Sequence, residues 1–112
     1  MSLRKSQKGL PGTPVMVTEN GIATADDTRR IAYADGTLRG LHAAIDDGIE
    51  VLGYLHWSAL DNYEWASGFR PTFGLIAVDR ETFVRTPKPS LAWLADVARR
   101  NALEEASQPA VA

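Results

Sequence analysis

With 112 residues, 45% of them hydrophobic and 23% charged, the chain has the make-up of a folded domain or part of one, not of a disordered or collagen-like polypeptide. A net charge of −2 with no basic stripe argues against a nucleic-acid partner, and no apolar run reaches the roughly 18 residues of a membrane span. Zero cysteines exclude disulfides, thiolate metal sites and a cysteine nucleophile.

Residues 1–13 are polar, and Gly9, Pro11, Gly12 and Pro14 break any helix there, so this stretch reads as a flexible lead-in. Arg4, Lys5 and Lys8 have no apolar core behind them, unlike a secretory signal, and a cytoplasmic location is expected. Residues 14–18, Pro-Val-Met-Val-Thr, form the short β-branched run of a buried parallel strand, which ends on the polar turn Glu19-Asn20-Gly21. Asp26 or Asp27 caps the next helix, whose apolar face is Ile31, Ala34, Leu38, Leu41 and Ile45 at steps of 3 and 4. Asp35-Gly36 interrupts that pattern; Gly costs about 1 kcal/mol against Ala inside a helix, so a kink or split is expected there. Gly48 is the natural stop.

A second strand is predicted over 51–57, then a long loop over 58–74 that holds most of the remaining aromatic and acidic groups. Residues 75–78 and 82–85 flank Asp79-Arg80-Glu81 and read as a small hairpin. Ser90 is placed to cap a last helix with Leu91, Leu94, Ala95, Val97 and Ala98 on its apolar side. Residues 104–112 read as a fraying tail. Strands alternating with helices imply an α/β fold with parallel pairing. Two such units leave open strand edges, and a (β/α)8 barrel takes about 250 residues, so the chain can supply only part of one.

Two constellations carry chemistry. In barrel enzymes catalytic groups stand at the carboxyl ends of strands, where Glu19 falls, with Gly21 letting the backbone turn away sharply. The bland alternative is a turn-forming acid at a strand-to-loop junction. The second is the loop 57–65, Trp57-Ser58-Ala59-Leu60-Asp61-Asn62-Tyr63-Glu64-Trp65. Indole faces pack against the C–H face of a pyranose and carboxylates accept its hydroxyl hydrogen bonds, which suits a sugar site. An aromatic loop core, with Asp61 and Asn62 satisfying backbone groups, is the alternative.

Taken together the ordered set is far more specific. Val17-Thr18-Glu19-Asn20-Gly21, then Gly53-Tyr54, Trp57-Ser58, Asp61-Asn62, Glu64-Trp65, Gly68, Phe73-Gly74, Val78-Asp79, Arg85 and Lys88-Pro89-Ser90 resembles glycoside hydrolase family 1. The resemblance spans residues 14–103 and implies the last two βα units of a TIM barrel plus a small hairpin, an incomplete barrel. It also implies a retaining β-glycosidase of β-glucosidase type acting in carbohydrate metabolism. Glu19 matches the nucleophile that forms a covalent glycosyl-enzyme intermediate. Trp57 matches the platform under the sugar, Glu64 the acid holding O4 and O6, Trp65 the contact to O3, and Phe73 an aromatic beside C6. Phosphosugar-specific members commonly carry serine at the position of Glu64, so a non-phosphorylated β-glycoside is implied. No cofactor or metal is implied, and His42 and His56 are not in metal-ligand spacing.

The pattern is incomplete. The family's acid/base lies in an Asn-Glu-Pro motif, and no Asn-Glu pair occurs here. Thr72 stands where many members have Arg, which puts local ion pairing in doubt. General acid help is worth about 10²–10⁴ in rate, so the isolated chain is expected to be inactive unless an amino-terminal barrel partner joins it. The competing expectation is a non-catalytic folded piece that self-associates through open strand edges, or a remnant that does not fold alone. His42 is read as a surface or interface residue and His56 as a support behind the pocket. Arg80, Arg85 and Lys88 are read as a solvated face around the hairpin, with a structural ion pair as the alternative for Arg85.

Overall fold

The β-branched run after Pro14 forms strand β1, Val15–Val17, and the apolar run after Glu50 forms β2, Val51–Tyr54. These elements belong to a computed structural model that describes residues 12–105; most of the expected lead-in and tail lie outside the described residues. β1 and β2 pair in parallel, Val15 opposite Val51 and Val17 opposite Tyr54, with a register shift between Val15 and Met16. Parallel neighbours need a crossover, and helix α1, Asp27–Asp46, supplies it. β2 is shorter than the predicted 51–57. Beyond Tyr54 the pairing continues irregularly: the Leu55 N–H donates to the Val17 carbonyl at 2.8 Å and the Trp57 N–H to the Asn20 carbonyl at 2.9 Å.

Asp26 caps α1, its side chain accepting from the Thr28 N–H at 3.0 Å. The helix does not split at Asp35-Gly36; it runs unbroken to Asp46. Gly36 lies on the exposed side, while Arg30, Ala34, Leu41 and Ala44 carry the buried face straight through. An Arg39–Asp35 ion pair at 2.8 Å also spans the glycine. Packing of one continuous face outweighs a local propensity cost of about 1 kcal/mol. Gly48 ends the helix as expected, at φ +91°, its N–H donating to the Ile45 carbonyl at 2.9 Å.

The hairpin forms in a different register from the one predicted. Strand β3 is Ile76–Val78, but its antiparallel partner β4 is Arg85–Pro87, three residues later than the run 82–85 suggested. The Asp79 carboxylate accepts the N–H groups of Glu81 at 2.8 Å and Thr82 at 3.0 Å, which bends the chain into a wider turn that consumes Thr82 and Phe83. Helix α2, Pro89–Arg100, begins one residue before Ser90. Ser90 is therefore not its cap. It is 1% exposed and docked on Asp27 of α1.

The buried apolar core of Val17, Ala34, Leu41, Ala44 and Leu75 is thin, since a buried Val or Leu contributes about 1.5–3 kcal/mol. Among the described residues each strand of the β1–β2 sheet has one unpaired edge, and Met16, Leu52 and Leu55 are exposed. An apolar groove of ≈ 570 Å³ runs between α1, β2 and α2, lined by Leu38, Leu41, Ile45, Val51, Leu94 and Val97. The architecture is α/β and open. No helix among the described residues is long and apolar enough to cross a membrane.

Candidate active site at the strand ends

The site begins where β1 ends. Glu19 lies between two backbone hydrogen bonds, from Leu55 to Val17 and from Trp57 to Asn20, so its peptide is held against the segment that follows β2. Gly21 presses on the same segment: a Cβ there would lie 1.9 Å from the Trp57 carbonyl oxygen. Close approach is therefore the reason for glycine, rather than the sharp turn expected from the sequence. Glu19 is exposed, and among the described residues nothing hydrogen-bonds or ion-pairs with its carboxylate.

Asn20 anchors this strand end through its side chain. The Tyr54 hydroxyl donates to Asn20 Oδ1 at 3.2 Å, and Asn20 Nδ2 donates to the Tyr33 hydroxyl at 3.4 Å. Tyr54 also meets His56 Nδ1 at 3.3 Å. Which of the two donates follows from the imidazole tautomer. The result is a hydrogen-bonded chain that joins His56 and Tyr54 through Asn20 to Tyr33 of α1. Burial raises the Tyr54 phenol to about 12, with Tyr33 adding to it. Burial also holds the His56 imidazole below its ordinary value, with the Phe73 backbone opposing and Arg30 assisting.

The loop after β2 supplies the indoles and a second carboxylate. Trp57 Nε1 donates to Glu64 Oε1 at 3.1 Å, so these two predicted residues form one unit. The peptide between Trp57 and buried Ser58 is cis. The Ser58 N–H donates to the Phe73 carbonyl at 3.2 Å, which brings Phe73 alongside the same unit. Glu64 opens a tight turn closed by its own N–H on the Gly68 carbonyl at 2.7 Å. Trp65, in the 3-10 turn Trp65–Ser67, is 85% exposed and shares no such bond with its neighbour's carboxylate.

Residues that sequence reasoning left aside hold the site together. Arg30, 1% exposed, pairs with Asp27 at 2.6 Å and donates to the carbonyls of Thr24 and Thr72, each at 2.6 Å. Thr72 Oγ1 donates to the Thr24 carbonyl at 2.9 Å, so Thr72 is held by hydrogen bonds to Thr24 and Arg30 and takes part in no ion pair. Two of the three cations expected to be solvated are engaged. Lys88 pairs with Asp61 at 2.9 Å, and Arg80 donates to the Asp61 carbonyl and covers the Phe69 ring at 4.3 Å. His42, by contrast, is 72% exposed on α1, with Asp46 at 3.6 Å, as expected of a surface residue. Among the described residues no group of His, Asp and Glu is arranged to hold a metal.

Fold and site together define a class: an open α/β chain in which Glu19 ends the first strand and the segment after the second carries the hydrogen-bonded Trp57–Glu64 pair. The chain belongs to glycosyl hydrolase family 1, whose sequence profile matches residues 2–103. It is 41% identical over 109 residues to thermostable β-glucosidase B of Thermobispora bispora, covering 90% of this chain and 23% of that one. A β-glycosidase from Pyrococcus horikoshii superposes with a TM-score of 0.88 at 44% identity, over 94% of this chain and 24% of that one. The family 1 β-glucosidase of Thermotoga maritima gives 0.88 at 36% identity over 92% and 25%, and has also been solved with glucoimidazole. The chain spans about a quarter of the length of these relatives.

Proposed function

We propose that the chain forms the nucleophile-bearing part of a retaining β-glycosidase of β-glucosidase type, corresponding to the last two βα units of the barrel and its hairpin. The observation that carries this reading is the Trp57–Glu64 hydrogen bond on a segment whose backbone is tied to Asn20, the neighbour of Glu19. It supports a site in which Glu19, at the end of one strand, works with the Trp57–Glu64 pair after the adjacent one. In this reading Glu19 attacks the anomeric carbon and forms a glycosyl-enzyme ester, which water then hydrolyses. Trp57 lies under the sugar, Glu64 accepts its O4 and O6 hydroxyls, Trp65 reaches O3, and Phe73 borders C6.

Departure of the aglycone needs a proton from a second carboxyl group about 5–5.5 Å from Glu19. Glu64 does not fill that role, because its carboxylate is engaged with the Trp57 indole at the hydroxyl-binding end. The acid must come from outside these 112 residues, which hold no Asn-Glu pair. Hydrolysis of an aryl β-glucoside is therefore expected only when an amino-terminal barrel part is present, and Glu19→Gln should abolish it. No turnover with that part supplied would overturn the reading.

A second reading is favoured by the exposed Met16, Leu52 and Leu55 beside unpaired strand edges. Such edges template further pairing, so the chain alone would self-associate as a folded, non-catalytic piece. Sedimentation of the isolated chain separates the two: a monomer that hydrolyses glucoside would exclude this alternative.

A further inference from the structure

The loop that carries Trp57 and Glu64 is held by a contact of its own. Asp61 lies between those two residues, and its Oδ1 accepts from the Gly74 N–H at 2.8 Å and from Lys88 Nζ at 2.9 Å. Lys88 Nζ also donates to the Gly74 carbonyl at 2.8 Å. Gly74 follows Phe73, so one carboxylate and one ammonium clamp both backbone groups of the segment that presents the Phe73 ring. The pair is shielded, with side chains 16% and 12% exposed for Lys88 and Asp61, unlike the surface pairs on the helices. The fit is tight: a Cβ on Gly74 would lie 2.3 Å from the Asp61 nitrogen and 2.7 Å from its Oδ1. Arg80 adds a donor to the Asp61 carbonyl from the hairpin turn. Lys88 stands at the junction of β4 and α2, so the clamp ties the loop to the end of the hairpin.

We propose that Asp61 and Lys88 are positioning residues of the sugar site: their part-buried pair sets the register between the Trp57–Glu64 loop and Phe73-Gly74. It thereby decides whether Trp57, Glu64 and Phe73 face one pyranose. This rests on the glycosidase reading above for the identity of the ligand, but not for the existence of the clamp. Lys88 matters through its direct bonds to both limbs, so arginine, which keeps the charge and the donors, should substitute in part, whereas methionine should not.

The test uses the 112-residue chain and two readouts. The first is the indole N–H resonance of Trp57, assigned with Trp57→Phe, which reports its bond to Glu64. The second is titration with glucoimidazole. Lys88→Met is expected to move the indole resonance to the position of a free indole and to weaken glucoimidazole binding at least tenfold, with Lys88→Arg restoring both. A lowered unfolding midpoint with the indole resonance unmoved would make the pair merely structural and overturn the proposal. If Lys88→Met does not fold, Asp61→Asn, which keeps an acceptor for the Gly74 N–H, is read in the same way. A wild-type chain that ignores glucoimidazole even with an amino-terminal barrel part supplied, while its indole resonance still responds to Lys88, would overturn the glycosidase reading and leave the loop clamp standing.

Discussion

Asp27, the first residue of α1, accepts both the backbone N–H of Ser90 at 2.7 Å and its hydroxyl at 2.8 Å, and so caps the amino end of α2 from another helix. The same carboxylate pairs with buried Arg30. One acid thus serves two helix N-termini, where a negative charge is favoured by the peptide dipoles. With so thin an apolar core, this polar junction is a principal hold between the helices.

Asp27→Ala should accordingly cost about 3–5 kcal/mol, because it strands the Arg30 guanidinium without its ion partner. A urea denaturation curve measures this, and a loss below 1 kcal/mol would show that water replaces the carboxylate.

The same residue predicts an acid limb. Burial opposes ionisation of Asp27, but hydrogen bonds from Arg30 and Ser90 outweigh it and hold the carboxyl below the ordinary aspartate value. A depressed acid contributes stability above its unfolded pKa of about 3.9 and loses it as pH falls through the folded value. Stability should therefore fall with acid below about pH 4, and Asp27→Asn should flatten that limb in urea melts.

His56 works in a higher window. Its folded pKa lies below the ordinary histidine value through burial, so the unfolded chain binds the extra proton first. Stability from the neutral imidazole is complete above about pH 6.5 and is lost as pH falls from there toward the folded value. Imidazole carbon chemical shifts followed against pH should report the lowered midpoint, and His56→Gln should remove the slope. Tyr54→Phe, which breaks the chain to Asn20, should cost about 1 kcal/mol and free the Asn20 amide.

Glycines separate by what surrounds them. Gly21→Ala would drive a methyl into the Trp57 carbonyl, so a loss of at least about 1–3 kcal/mol and a shift in Trp emission are expected. Gly36→Ala and Gly40→Ala place the methyl where nothing lies within 4 Å, on a regular helix. Each should raise stability by about 0.5–1 kcal/mol, measured by thermal melting.

The Trp57–Glu64 contact of the candidate site was legible because its residues are near neighbours in the chain. Glu19-Asn20-Gly21 follows a β-branched run, and Trp57 and Glu64 share one loop, so composition and order sufficed to single them out. Gly21 was marked correctly but for the wrong reason, since close contact with Trp57 joins segments far apart in sequence. Ser90 looked like a cap because capping residues are recognised locally, yet its partner is Asp27, 63 residues away. Lys88 looked solvated for the same reason: charge alone does not reveal that Asp61 and Gly74 meet it from another part of the chain.

By itself the sequence determined the alternation of strands and helices, their parallel pairing and the family, because hydrophobic period and motif order are local properties. Tertiary structure alone decided the hairpin register, the unbroken α1 and the shielded pairs of Arg30 and Lys88. Those outcomes depend on which distant backbone groups and carboxylates come within hydrogen-bond reach once the chain closes on itself, and desolvated ion pairs form only where such partners converge.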